Sequence, residues 1–347
     1  MKKVQREDCQ KVGKLDFIDW EKFRNTTILV TGSTGLIGSN LVNALAYNNQ
    51  EKMLGIKLIL PVRKVEAAER LFSWTDAEII PYKLGEELKL ETFVDYIIHL
   101  ASPTSSKHFT EKPVDTMTAN IEGTRMLLEW AKAHLTKQFV YLSTMEVYGF
   151  PKKGHKVKED ELGAFETMNV RNSYPIAKIA CEALCNNYYS QYRVPVVVLR
   201  ATQTFGPGVK YDDGRVFAQF MRCVIEGKDI ILRSEGLTER SYLYTLDAVS
   251  AILVGMTNGV PGEAYTVANS YTYCSIKDMA KMVVDKMDLG KIKVKFAIAE
   301  DITKLGYAET LYMDLDIMKI AELGWRATVN LQEMFERMIR GIGEYND

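Results

Sequence analysis

Tyr174 and Lys178 stand four residues apart in NSYPIAKIA, within a stretch of helical apolar period, so they share one helix face. A phenol gives up its proton near ~10 unless a neighbouring cation stabilises the anion. A lysine one turn away, joined by the ribose hydroxyl of a nicotinamide cofactor, would make Tyr174 a usable base near neutrality. Upstream, YLSTMEVYG ends a predicted strand at Ser143 and Thr144. At the carboxyl edge of a sheet Thr144 can hydrogen-bond a substrate hydroxyl, and Glu146 adds a carboxylate two residues on. Tyr148 reads instead as an aromatic packing residue.

A Y-x-x-x-K pair is common by chance; its weight comes from lying downstream of a glycine turn. In ILVTGSTGLIGSNL, Gly32, Gly35 and Gly38 fall between a predicted strand and a predicted helix, with Thr34, Leu36 and Ile37 among them. Glycine there permits a tight turn, close approach to a pyrophosphate and close helix–strand packing. The helix N-terminus adds free N–H groups and the positive end of its dipole. The acidic residue that would meet a ribose 2′-hydroxyl some ~20 residues on is missing. Arg63 stands instead near the tip of the second strand, in LILPVRKVEAAER, where arginine suits a 2′-phosphate. The expected cofactor is therefore NAD or NADP, with NADP favoured; the other reading of Arg63 is a solvated surface charge.

Placing these residues requires an alternation of strands and helices, and the chain supplies it. TILVTG, IKLILPV, AEIIPY, DYIIHLA, KQFVYLS and VPVVVLRA are short apolar runs whose continuous character suits strands covered on both faces. LIGSNLVNALAYN, PVDTMTANIEGTRMLLEWAKAH and SYPIAKIACEALCNNYYSQYR lie between them with helical period. The expected fold class is α/β: a Rossmann-type doubly wound parallel sheet with a smaller C-terminal α/β substrate lobe. Residues 1–25 read as an extension, with one short amphipathic segment in LDFIDWEKF, expected as a helix packed on the main body. Residues 26–203 read as the dinucleotide-binding domain, which also receives segments near 241–270. Residues 204–347 read mainly as the substrate-binding lobe, with two amphipathic helices, SIKDMAKMVVDKM and NLQEMFERMIRGI.

The totals exclude several classes. The 347 residues are 47% hydrophobic and 26% charged with a net charge of −1, the composition of an ordinary globular protein. A phosphate-backbone binder carries a basic surplus, so no nucleic-acid partner is expected. The longest apolar runs fall far short of the ~20 residues a bilayer span needs. The N-terminus MKKVQREDCQKVGK has no apolar run after its basic residues, so no signal peptide is expected. Cys9, Cys181, Cys185, Cys223 and Cys274 form no C-x-x-C pair, and the four histidines form no H-x-x-x-H or H-E-x-x-H pair. No protein-built metal site is expected, Cys181 and Cys185 read as small buried residues, and the chain reads as cytoplasmic.

TGSTGLIG, IIHLASP, NIEGT, STMEVYG, YPIAK, FGPG and ERSYLYTLDAV occur in this order. With these motifs the sequence resembles the extended short-chain dehydrogenases, the NAD-dependent epimerase/dehydratase family acting on nucleotide sugars, from roughly Thr26 to Arg340. The resemblance implies that residues 95–102 form the fourth strand and its tip, placing Leu100, Ala101 and Ser102 beside the cofactor. It implies that Asn120 supports the active-site helix and that Thr144, Tyr174 and Lys178 are the catalytic triad. It also implies that Gln203, Arg215 and Arg240 meet the sugar nucleotide, a role in which a planar arginine fork suits diphosphate. Members share oxidation of the sugar at C4 to a transient 4-keto intermediate, then diverge to decarboxylation, dehydration or epimerisation. Thr144-x-Glu146 points to the first two; HLASPTS, FGPGVKYDDGRVFAQF and ERSYLYTLDAV look most like UDP-glucuronate decarboxylases. Met145 and Gln203 depart from the pattern: a thioether donates no proton, and the family usually shows Asn where Gln203 stands. The resemblance further implies a homodimer through helices near 114–133 and 174–192. A non-catalytic dinucleotide-sensing protein on the same fold is the competing class, and it would lack the Tyr/Lys pair.

Overall fold

Short apolar strands build the sheet that carries the glycine turn. They are β1 (Thr27–Thr31), β2 (Lys57–Val62), β3 (Glu78–Pro81), β4 (Tyr96–His99), β5 (Gln138–Thr144), β7 (Val196–Ala201) and β11 (Ala264–Val267). All pair in parallel, in the order β11-β7-β5-β4-β1-β2-β3. The computed structural model describes residues 1–103, 106–288, 290–298 and 310–343, apart from the side chains of residues 106–108. Of HLASPTS, Thr104 and Ser105 lie outside the described residues. Every residue of β1, β4 and β7 is buried, which is why these segments lack polar alternation. The order reverses between β1 and β4, and ligands of open α/β sheets bind outside the strand ends at that point.

Helices cover the sheet: α2 (Leu36–Lys52), α3 (Val65–Phe72), α5 (Pro113–Ala133), α6 (Ser173–Tyr192) and α8 (Thr245–Asn258), with α1 (Lys3–Gly13) packed on α2 and α4 (Ser106–Glu111) on α5. A second sheet, β12-β10-β14-β6 with β8 beside β10, joins β6 (Lys156–Val157), β8 (Gln203–Phe205), β10 (Glu239–Tyr244), β12 (Asn269–Ser275) and β14 (Tyr312–Leu315). The strands β9 (Ile230–Leu232) and β13 (Val294–Phe296) form a separate pair. Around them lie α7 (Val216–Glu226), α9 (Ile276–Met287), α10 (Met318–Glu322) and α11 (Leu331–Gly343). This is the Rossmann-type parallel sheet with a smaller α/β lobe. The chain crosses between the two parts in both directions, since β6 joins the second sheet and β11 returns to the first.

The extension folds as α1 followed by a short 3-10 turn, Trp20–Phe23, capped by the Asp19 carboxylate. The helix therefore precedes LDFIDWEKF, whose apolar Trp20 and Phe23 are buried. Asp8 of α1 is buried; its carboxylate accepts from the Tyr244 hydroxyl at 2.7 Å and from Arg337 Nη2 at 2.5 Å. One side chain thus ties the extension to β10 and α11. Burial pushes the Asp8 carboxyl up to about 6 against the pull of Arg337 and Tyr244. Among the described residues no helix is long and apolar enough to cross a membrane.

Candidate functional site

The glycine turn is shaped by contacts that a side chain would block. Gly32 has φ +69°, and a Cβ there would meet the Ala101 nitrogen at 2.7 Å. A Cβ on Gly38 would lie 2.2 Å from the Gly32 carbonyl oxygen. The first glycine lets the tip of β1 touch the tip of β4, and the third lets α2 pack beneath the turn. Gly35 N–H closes the turn onto the Gly32 carbonyl at 3.0 Å, and Gly35 caps α2 with no side-chain hydrogen bond. The N–H groups that open α2 are left for a ligand, with the helix dipole behind them. Thr34 is exposed, Leu36 and Ile37 are half-buried, and the buried Ser33 hydroxyl has no partner among the described residues. This cradle fits the pyrophosphate of a dinucleotide.

The tip of β4 is held from two sides. Ser102 Oγ donates to Asn120 Oδ1 at 2.7 Å, and Asn120 Nδ2 donates to the Thr116 carbonyl at 2.7 Å, so α5 fixes the strand tip. Leu100 N–H donates to the Thr31 carbonyl at 3.3 Å, and Ala101 N–H to Thr31 Oγ1 at 3.4 Å. His99 shares hydrogen bonds with the hydroxyls of Thr31 at 2.8 Å and Thr124 at 3.2 Å. Burial, helped by Lys178, holds His99 down at about 3, so it is a neutral spacer between sheet and helix. Nothing in the spacing of His99 pointed to this part.

Tyr174 and Lys178 lie on one buried face of α6 beneath the end of β5. The Tyr174 ring stacks on Phe109, centres 4.3 Å apart and planes within 3°. Burial pushes its phenol above the usual range and the Glu146 carboxylate adds to this, while Thr144, Ser102 and Arg171 pull it back. Lys178 Nζ donates to the Leu142 carbonyl at 2.8 Å and stands 4.6 Å from the Tyr141 ring centre and 5.9 Å from that of Tyr174. A lysine one turn away is not, by itself, what lowers the phenol. Thr144 Oγ1 accepts the Glu146 N–H at 3.2 Å, so the threonine caps the short turn that carries the carboxylate.

Burial pushes Lys178 down to about 8 from its ordinary 10.5, with Cys181 and Glu182 pulling it back up. A lysine whose folded pKa lies below its unfolded one is favoured neutral. Its contribution is present above the unfolded value and lost as pH falls through the folded one. Lys178→Met is therefore expected to raise stability at pH near ~7 by about 1–3 kcal/mol while abolishing turnover. Calorimetry at neutral pH and again above pH ~10, where that gain should fade, checks it.

Beneath Thr144 sits a network that the sequence did not signal. Glu182 and Arg200 form a buried ion pair at 2.7 Å, and Ser143 Oγ donates to the same carboxylate. Arg200 Nη1 also donates to the Tyr148 hydroxyl at 3.3 Å and to the Glu159 carbonyl at 2.6 Å. Tyr148 is buried, its hydroxyl 2.5 Å from Thr266 Oγ1, and so packs between the two sheets. The only available signals were an acidic residue one turn beyond Lys178 and an arginine inside an apolar strand.

On the substrate side the three arginines differ. Arg240 Nη1 donates to Gln203 Oε1 at 3.4 Å, and its buried Nε has no partner among the described residues. Arg215 is paired with Asp213 at 2.7 Å and stands 4.8 Å from the Phe217 ring centre at the start of α7. Arg63 is exposed just beyond β2 and has no ion-pair partner among the described residues. Met145 is buried, its sulfur accepting from Thr202 Oγ1 at 3.0 Å, next to Gln203. Arg171, which spacing did not single out, donates through Nη1 to Glu146 Oε2 at 3.2 Å. Among the described residues no cluster of His, Cys, Asp and Glu could hold a metal ion.

The model of the NAD dependent epimerase/dehydratase family matches residues 28–268. UDP-glucuronic acid decarboxylase 1 of Arabidopsis thaliana is 32% identical over 321 residues, spanning 90% of this chain and 68% of that protein. UDP-glucuronic acid decarboxylase 1 of Xenopus tropicalis is 29% identical over 337 residues, spanning 97% of this chain and 76% of that protein. Among solved structures, the UDP-glucose 4-epimerase of Thermotoga maritima with UDP-glucose superimposes with a TM-score of 0.77. It is 24% identical and the match covers 92% of this chain and all of that one, a likeness of fold.

Proposed function

The chain belongs to the NAD-dependent epimerase/dehydratase family, and from that premise we propose that it oxidises a nucleotide-linked uronate at C4 and decarboxylates the product. It is an NAD-dependent enzyme that modifies a nucleotide sugar. The observation that carries the uronate reading is Arg240: half-buried on β10, with Nη1 on Gln203 and a buried Nε that has no partner among the described residues. A buried N–H without an acceptor is costly, and a substrate carboxylate that accepts from it removes that cost.

NAD, when bound, supplies hydride acceptance at C4 and the return of that hydride at the end. Tyr174 takes the proton of the C4 hydroxyl, Thr144 holds that oxygen, and Lys178 positions the cofactor ribose and steadies the phenolate. In the resulting 4-keto acid the C5–C6 bond breaks, carbon dioxide leaves, and the ketone oxygen takes the electron pair; a proton then joins C5, and Tyr174 gives its proton back to the C4 oxygen as the hydride returns to C4. Glu146, Gln203, Arg215 and Arg240 surround the sugar nucleotide in this scheme, Arg215 after release from Asp213. Gly32, Thr34, Gly35, Leu36, Ile37 and Gly38 would hold the cofactor, together with Leu100, Ala101 and Ser102, with Asn120 behind them. Arg63, without an ion-pair partner among the described residues, favours NADP within this scheme. Residues 26–203 would then serve mainly the cofactor and residues 204–347 mainly the substrate.

Incubation with UDP-glucuronate, and in parallel with UDP-glucose and dTDP-glucose, using NAD and NADP in turn, tests the whole scheme by mass spectrometry. Loss of carbon dioxide from UDP-glucuronate is expected. Loss of water would make the enzyme a dehydratase, with Glu146 removing the C5 proton. An unchanged mass with a new sugar NMR spectrum would make it an epimerase, and faster turnover with NAD would end the preference for NADP. Light scattering on the same sample checks for a dimer through α5 and α6. The Tyr188 hydroxyl on α6 is already spent on Glu129 of α5, at 2.5 Å, and Lys132 lies 4.1 Å from the Tyr192 ring centre. The five free cysteines suit a reducing compartment such as the cytoplasm, which cell fractionation checks.

A further inference from the structure

We propose that Arg171 is the residue that admits a carboxylate-bearing sugar, by holding the sugar's carboxylate and Glu146 in one guanidinium fork. The inference rests on the uronate reading above and assigns the discrimination within it to one side chain.

Arg171 lies in the 3-10 turn Val170–Asn172 that leads into α6, and the Asn169 side chain accepts its backbone N–H at 3.0 Å. That cap fixes where the side chain starts. Its Nη1 donates to Glu146 Oε2 at 3.2 Å, and its guanidinium stands 5.3 Å from the centre of the Phe109 ring. Phe109 is the ring on which Tyr174 stacks. One cation therefore touches the carboxylate of Thr-x-Glu and borders the aromatic pair that carries the base. The remaining nitrogens, Nε and Nη2, have no partner among the described residues, and the side chain is 39% exposed.

A sugar whose C4 hydroxyl meets Tyr174 and Thr144 brings its C6 group, two bonds from C4, into the neighbourhood of Glu146. If C6 is a carboxylate, two like charges meet. At ~4 Å and an effective dielectric near ~20 their repulsion is about 4 kcal/mol. A planar fork that bonds one carboxylate through Nη1 and a second through its free nitrogens turns that repulsion into attraction. An ammonium, with no fixed fork, does this less well. A neutral hydroxymethyl group gains nothing from the same arrangement, so the cation separates uronates from neutral hexoses by a difference in affinity.

The test is calorimetric titration of the NAD-loaded protein with UDP-glucuronate and UDP-glucose, on the native chain, Arg171→Gln and Arg171→Lys. The native chain is expected to prefer UDP-glucuronate by about 10²-fold, and Arg171→Gln to lose most of that preference. The loss should fall on UDP-glucuronate alone, with UDP-glucose and NAD affinities held, and Arg171→Lys should restore part of it. Retention of the full preference in Arg171→Gln overturns the assignment while leaving the uronate reading intact. Equal weakening of both sugars and of NAD would mean a structural role and overturns it too. A native chain without any preference overturns the uronate reading and the inference with it.

Discussion

Tyr174→Phe is expected to lower turnover by about 10³-fold or more while leaving NAD affinity nearly unchanged. The substitution removes one oxygen and keeps the ring. Its stacking on Phe109 at 4.3 Å, which fixes the side chain beneath β5, survives, so fold and cofactor cradle persist. What is lost is a proton acceptor at a place where Thr144 offers only a neutral hydroxyl and Lys178 is turned to the Leu142 carbonyl. Glu146 does not replace it, because its carboxylate is bonded to Arg171. Single-turnover kinetics beside a fluorescence titration of NAD reads both halves of the expectation. Turnover within tenfold of the native rate, about 1.4 kcal/mol, would remove Tyr174 from its role.

Glu182→Ala is expected to destabilise the protein by about 3–5 kcal/mol, the cost of stranding a buried arginine. Arg200 would keep Tyr148 and the Glu159 carbonyl as neutral partners but lose the carboxylate that balances its charge. Ser143, the neighbour of Thr144, would lose its acceptor at the same time. Denaturant unfolding of Glu182→Ala, Arg200→Ala and the double variant measures the pair. Because both residues belong to one network, the double variant should cost far less than the two single losses together. Full additivity would show that the pair contributes little as a pair.

Much of the fold was legible because it depends on local chemistry repeated along the chain. β1, β4 and β7 are buried on both faces, so they are mostly apolar without alternation, and that pattern survives in the sequence. Two other elements left no such trace. α8 is buried from Thr245 to Met256, so it has no polar face to set a helical period. α1 is mostly polar, and it is held by Asp8 to Tyr244 and Arg337, residues more than two hundred positions away. Neither period nor composition carries such a partnership.

The candidate site divides in the same way. The glycine turn, the Tyr174–Lys178 face and Thr144-x-Glu146 are set by residues within a few positions of one another, so spacing alone brought each group together. Which groups meet was decided by tertiary structure. The sheet places Ala101 against Gly32, puts the Glu182–Arg200 pair under Thr144, and sets Gln203 beside Arg240. The fold also pairs Arg215 with Asp213, and Arg171 with Glu146, and leaves Arg240 Nε without a partner among the described residues. Charge on a side chain is a property of sequence; whether that charge is neutralised within the chain or kept for a ligand depends on burial and distance, which only the folded chain sets.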